Sequence, residues 1–346
     1  MEKRQNTAYL TLMNVVAALS VVILHTNDCY WDFSTERYWI TANIINGVFV
    51  FAVPVFFMIT GATMLDYPSR YDTPTFFKKR AEKTLLPFIV WSLICLLLNI
   101  AVFHTVKWSD LSLPYVINGI LTTKFNTIYW FFPPLFCVYA VIPLFAAVPQ
   151  DKKRSLFTYL AIAGFAANML VPFLIRWLEL PLTWPFEVRV ASSYLLYVLV
   201  GYLISRYDMP RFVRYGVYLL ALGGLLGYTY GTQQLSFEAG KIVDFYKGAT
   251  NVTAVCYGVG VFLFLRQIGN RLMACRPIGK VVGVLKGYTF PLYLLHMPVI
   301  WELRRLLPIN KYSILWRLGG VLLIVPLCMG VTWLIRKIPL VRKILP

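Results

Sequence analysis

His25 and His296 are two of only three histidines in the chain, and both fall inside long apolar runs. His25 closes the run at residues 9–26 (YLTLMNVVAALSVVILHT), and His296 sits within residues 288–300 (YTFPLYLLHMPVI). An ionisable side chain at membrane depth is costly unless a partner or a cavity receives it. Histidine is also the side chain best suited to move a proton near neutral pH. The pair therefore points to acid–base chemistry or proton traffic. A satisfied packing histidine is the alternative at each position.

The neighbours of each histidine add detail. Asp28 lies three residues after His25, the spacing of neighbours on a helix surface, and a carboxylate there can orient the imidazole and raise its basicity. Pro298 lies two residues after His296 and cannot donate to the carbonyl of Leu294, so a backbone acceptor is freed beside the second histidine. Residues 76–87 (FFKKRAEKTLLP) gather Lys78, Lys79, Arg80 and Lys83. Arg80 and Lys83 share a helix face at that spacing, and their groups suit phosphates. Anchoring to anionic lipid is the alternative. Thr60-Gly61-Ala62-Thr63 is a small-residue cluster fit for close helix packing, with Thr60 as a hydrogen-bond donor toward an oxyanion. Tyr129 and Trp130 open YWFFPP, either as an interfacial belt or as a surface on which a sugar ring stacks. His104 reads as interfacial, without a role.

These residues need a scaffold, and the composition names its class. The chain has 346 residues, 59% hydrophobic and 14% charged, with mean hydropathy +0.65. Soluble domains carry about 25% charged residues. An all-α, polytopic membrane helix bundle is expected, as one integral membrane domain over residues 1–346. Ten segments meet the length of a span, about 20 apolar residues. They are residues 8–27, 43–65, 84–104, 128–148, 156–176, 190–206, 212–230, 249–266, 284–303 and 314–336. The runs are too long and too uniformly apolar for barrel strands. The first is expected to be a retained span and not a cleaved signal, because no small-residue cleavage site follows it.

The net charge of +18 does not indicate nucleic acid, because the basic residues fall in short clusters between apolar runs. With both termini in the cytoplasm, two-thirds of the 33 basic residues lie inside, as the positive-inside rule requires. Lys3, Arg4, Arg342 and Lys343 contribute at the two ends. The six cysteines show no paired spacing and no metal pattern, so no metal is expected.

Taken in order, five segments resemble the acyltransferase-3 family of bacterial membrane acyltransferases. They are LHTN around His25, VPVFFMITG ending at Gly61, FFKKRAEKTLLP, YWFF, and YLLHMPV around His296. The likeness runs from end to end of the chain, and ten spans in this length fits the family. It implies transfer of an acyl group, usually acetyl from acetyl-CoA, to a sugar hydroxyl of a surface glycan or its lipid-linked precursor. It further implies a bacterial cytoplasmic (inner) membrane location. His25 matches the family's presumed base, Arg80 the donor-binding position, and His296 the late histidine. Three departures stand out. The family's Asp-x-x-Arg in the first span is replaced by Thr11 and Asn14, the second Arg of Arg-x-x-Arg by Lys83, and Ser-Gly by Thr60-Gly61.

The resulting expectation is direct transfer. Arg80, Lys83 and Lys79 hold the donor's phosphates. His25, oriented by Asp28, deprotonates the acceptor hydroxyl, with His296 as a second catalytic residue. Tyr129, Trp130 and Thr60 contact substrate, and membrane lipids surround the whole. The rival reading is a proton-coupled exporter or flippase of a glycan or lipid-linked precursor. Few carboxylates lie at mid-span, and ion-coupled carriers generally use them.

Overall fold

The computed structural model describes residues 7–338, 344 and 345. The protein is 78% helical, with no strand among the described residues. Lys3, Arg4, Arg342 and Lys343, which carry the charge bias at the termini, lie outside them.

Helix α1 spans Ala8–Thr26 and passes through Asn27 into a 3-10 turn, Asp28–Trp31. Helices α2 (Arg37–Phe49) and α3 (Ala52–Met64) belong to one helical stretch, Arg37–Ser69. Next come α4 (Thr73–Arg80), a π-turn (Ala81–Leu85) and α5 (Leu86–Ala101). After α6 (Leu113–Leu121), a 3-10 turn (Thr127–Phe131) enters α7 (Phe132–Ala146). Helix α8 (Gln150–Phe165) continues through a second π-turn, Ala166–Leu170, into α9 (Val171–Trp177). Then follow α10 (Tyr194–Arg206), α11 (Arg211–Leu226), a third π-turn (Gly227–Gly231) and α12 (Thr232–Ala239). The chain ends with α13 (Val252–Ala274), α14 (Arg276–Leu285), α15 (Thr289–Leu306), α16 (Ile314–Gly319) and α17 (Val321–Arg336).

Two π-turns have a local cause. Pro87 and Pro172 are the second residues of α5 and α9. Each lacks an N–H and presses its ring on the carbonyl four residues back, at Lys83 and Asn168. Widening the helix at those places relieves the clash. The basic cluster at residues 78–83 is thereby wound partly as α-helix and partly as π-turn.

Among the described residues, seven helical stretches are long and apolar enough to cross a membrane. They are Ala8–Thr26, Arg37–Ser69, Thr73–Ala101, Thr127–Ala146, Gln150–Trp177, Val252–Ala274 and Ile314–Arg336. Each overlaps a predicted span, so the membrane-helix class stands. The predicted number of about ten is not confirmed by this criterion. Helix α10 is apolar but only 13 residues long. The stretch through α11 and α12 is diluted by glycine, tyrosine and threonine. Helix α15 carries Glu302, Arg304 and Arg305 in its last turns.

The chain divides into two compact units that interleave along the sequence. The first holds the residues up to Leu65, Ala147–Thr289 and Asn310–Val321; the second holds Asp66–Ala146, Phe290–Ile309 and the residues from Leu322 on. Helices in the first unit approach through glycines, as membrane helices do when small residues let backbones touch. A Cβ on Gly61 of α3 would lie 1.9 Å from the Val198 carbonyl oxygen of α10. A Cβ on Gly201 of α10 would lie 2.2 Å from the Met58 carbonyl oxygen of α3. The buried side of α1, with Met13, Ala17, Ala18 and Val22, faces the interior of this unit. The second unit is built on aromatic rings. Phe88 and Phe132 have centroids 4.9 Å apart, and Phe132 and Tyr293 5.5 Å. The Trp91 indole donates to the Ile344 carbonyl at 3.0 Å.

Candidate functional site

In the first unit, His25 occupies the last turn of α1 and is partly exposed. The residues after it fix the end of the helix. The Thr26 hydroxyl is 2.8 Å from the Arg317 carbonyl, and the Asn27 amide donates to the Ala42 carbonyl at 2.8 Å. Arg317 is itself buried, 3% exposed, and its Nη1 donates to the Tyr38 carbonyl and the Thr41 hydroxyl at 2.9 and 2.8 Å. One guanidinium thus ties α16 to α2, and the carbonyl of the same residue receives α1. This arrangement holds the backbone beside His25.

Asp28 opens the 3-10 turn. Since α1 ends at Thr26, helix-face spacing does not govern the His25–Asp28 pair. The turn sits in a mixed field: Arg317, Asp28, Asp32 and Lys311 all act on Cys29. Asp32 pairs with Lys311, and that hydrogen bond holds the Lys311 ammonium above its ordinary range.

At the position where the family carries an arginine, Asn14 donates to the Thr289 hydroxyl at 3.0 Å. Both partners are neutral, so no lone charge is left at Asn14. Thr60 is 7% exposed, and its hydroxyl donates to the Phe56 carbonyl at 3.0 Å. That is back-bonding within its own helix. Its proton is engaged, so the expected donation from Thr60 to an oxyanion is not prepared in this structure.

In the second unit, Arg80 ends α4 and is partly buried, with its guanidinium over the rings of Phe76 and Tyr139 at 5.8 and 5.7 Å. The side chains of Arg80 and Thr84 both hydrogen-bond the Tyr139 hydroxyl. Lys79 lies 3.9 Å above the Tyr71 ring. Lys83 is exposed in the π-turn. The expected common face of Arg80 and Lys83 is loosened, because a π-turn holds more residues per turn than an α-helix.

His296 is fully buried, and its Nδ1 lies 2.9 Å from the Leu292 carbonyl. A carbonyl only accepts, so Nδ1 is the donor in this contact. The carbonyl of Leu294, freed by Pro298, accepts from the Tyr129 hydroxyl at 2.9 Å. The Tyr293 hydroxyl in turn donates to the Ile128 carbonyl. Two reciprocal tyrosine bonds therefore lock α15 to the turn before α7 and fix the residues around His296.

This corrects the expectation for Tyr129. It is 0% exposed, packed among Phe88, Phe132 and Tyr293, and no sugar can stack on it. Trp130 is 42% exposed and keeps that capacity. A Tyr129→Phe variant leaves the Leu294 carbonyl unsatisfied, a loss of about 1–3 kcal/mol. Thermal unfolding of the purified variant reads that loss, and an unchanged midpoint would show that the carbonyl has another donor.

The structure collects His25, Asp28 and Thr60 in the first unit, and Lys79, Arg80, Lys83, Tyr129, Trp130 and His296 in the second. Sequence reading missed Arg317, although the rule applied to the histidines would have found it, since it is an ionisable residue inside an apolar run. Residues 7–335 match the family model described as an acyltransferase domain, Acyl_transf_3. No curated protein and no solved structure matches the chain.

Proposed function

The chain belongs to the acyltransferase-3 family and is a membrane acyltransferase, and from that premise we propose that it moves an acetyl group from acetyl-CoA to a hydroxyl of a cell-surface or lipid-linked glycan. The observation that carries the catalytic assignment is the contrast between the two histidines. His25 is partly exposed at the end of a pinned helix, whereas His296 is fully buried. A base must reach the proton that it removes, and the partial exposure of His25 supports that role.

In this mechanism an imidazole nitrogen of His25 takes the proton of the acceptor hydroxyl. The oxygen attacks the thioester carbonyl carbon and a tetrahedral intermediate forms. Its collapse breaks the C–S bond, and the departing thiolate takes the proton back from the imidazolium. The product is the acetyl ester and free coenzyme A. Asp28 orients His25 from the adjoining turn. His296 is the second catalytic candidate. Arg80 holds the donor's phosphates with Lys79 and Lys83, because a guanidinium makes paired bonds to phosphate. The family match favours an enzyme over a carrier. The reading places the protein in a bacterial inner membrane as a multi-pass protein.

Arg80→Ala is expected to raise the donor KM about tenfold, the scale of a lost charge-assisted contact. The turnover number at saturating donor should stay near the wild-type value. Steady-state kinetics with varied acetyl-CoA measure both. An unchanged KM would leave Arg80 as an anchor of topology.

A further inference from the structure

A polar cavity lies in the first unit. Its volume is about 350 Å³, and Tyr9, Ser205, Asp208, Arg214, Arg266 and Asn270 line it. They come from the start of α1, the end of α10 and the residues after it, the start of α11 and the last third of α13. The charge distribution assigns this end of those helices to the cytoplasm.

The lining is suited to an anion. Arg214 has no ion pair among the described residues. Arg266 meets Asp208 through one nitrogen at 2.8 Å, and that carboxylate is 96% exposed. The remaining donors of both guanidinium groups are available. Ser205 is 5% exposed, and its buried hydroxyl has no hydrogen-bond partner. A buried polar group without a partner is uncommon and asks for a ligand or water. Asn270 is held by the Tyr9 amide, which donates to its Oδ1 at 3.1 Å. Two forked cations, a hydroxyl and a recessed polar floor are the chemistry of phosphate recognition. The volume is at the low end for ligand pockets, about 300–1,000 Å³. It suits a phosphorylated ribose better than a whole coenzyme.

We infer that this cavity binds a phosphate monoester, supplied by the 3′-phosphoadenosine end of the acyl donor. The choice of donor rests on the acetyl-CoA reading above; the phosphate chemistry rests on the cavity alone. The other source of a phosphate is the headgroup of an inner-leaflet lipid, and the test separates the two.

The probe is adenosine 3′,5′-bisphosphate, titrated calorimetrically into the full-length protein in a neutral detergent. Wild type should bind it, and Arg214→Gln and Arg266→Gln should each weaken binding about tenfold. Arg214→Lys should restore part of the loss. Adenosine, which carries no phosphate, should bind weakly to all of them. Unfolding midpoints without the probe confirm that the variants are folded. No binding to folded wild type, equal binding to the glutamine variants, or equal binding of adenosine would overturn the inference. So would losses seen only with vesicles containing anionic phospholipid, which would make the two arginines membrane anchors. If the bisphosphate binds as expected but the protein releases no coenzyme A from acetyl-CoA, the phosphate site stands and the donor reading fails.

Discussion

Replacing His25 with alanine should reduce acetyl transfer by at least about a hundredfold, the lower end of what a positioned general base contributes. The loss should appear in chemistry more than in folding. Thr26 and Asn27 bond the end of α1 to the Arg317 and Ala42 carbonyls. Removing the imidazole leaves both bonds in place. The variant should therefore express, keep its unfolding midpoint and bind coenzyme A with wild-type affinity, while turnover collapses. Thr26→Val should behave in the opposite way, losing stability first and activity as a consequence. Kinetics and thermal unfolding on the two variants separate a base from a packing residue. Wild-type turnover in His25→Ala would remove the base assignment.

Gly61→Ala is expected to produce the largest loss of folded protein. The new Cβ would be 1.9 Å from the Val198 carbonyl oxygen, 2.7 Å from its carbon and 2.9 Å from its Cα. All three are backbone atoms, so no rotamer change relieves the overlap, and α3 and α10 must separate. Overpacking of this kind costs about 1–3 kcal/mol, occasionally more. The separation would also disturb Gly201 against Met58 on the same pair of helices. Gly216 on α11 is the control, because nothing lies within 4 Å of its Cβ position. Gly216→Ala should be neutral or gain up to about 1 kcal/mol from helix propensity. Monodispersity and unfolding temperature in detergent measure both. Equal stability of the two variants would show that the contact between α3 and α10 yields easily.

Much of the scaffold was legible in apolar run length. The last predicted span, residues 314–336, coincides with the stretch Ile314–Arg336, and the first ends within a residue of Thr26. Other boundaries moved for local reasons. The third stretch begins at Thr73 because an amphipathic turn capped by Asp72 precedes the apolar run. Hydropathy does not register such a turn, nor the π-turn that Pro87 imposes.

Less of the site was legible. Residue type marked His25 and His296, and Pro298 correctly announced a freed carbonyl at Leu294. The sequence could not say that Tyr129 caps that carbonyl, because the contact joins residues 165 apart. The same tyrosine was read as a sugar platform, since an aromatic run reports composition and not orientation. Thr60 is a similar case. Its hydroxyl looked available in sequence, and only the helix geometry shows that Phe56 takes its proton.

Following coenzyme A thiol and labelled acetyl together tests the central claim most directly. Inside-out vesicles from cells producing the protein are given labelled acetyl-CoA, with vesicles carrying His25→Ala at matched expression as the blank. Wild-type vesicles should release thiol and place label in a glycan or lipid-linked saccharide fraction in equal amounts, and the blank should do neither. Equal thiol release in both, or transport of a glycan with no thiol released, would contradict the account.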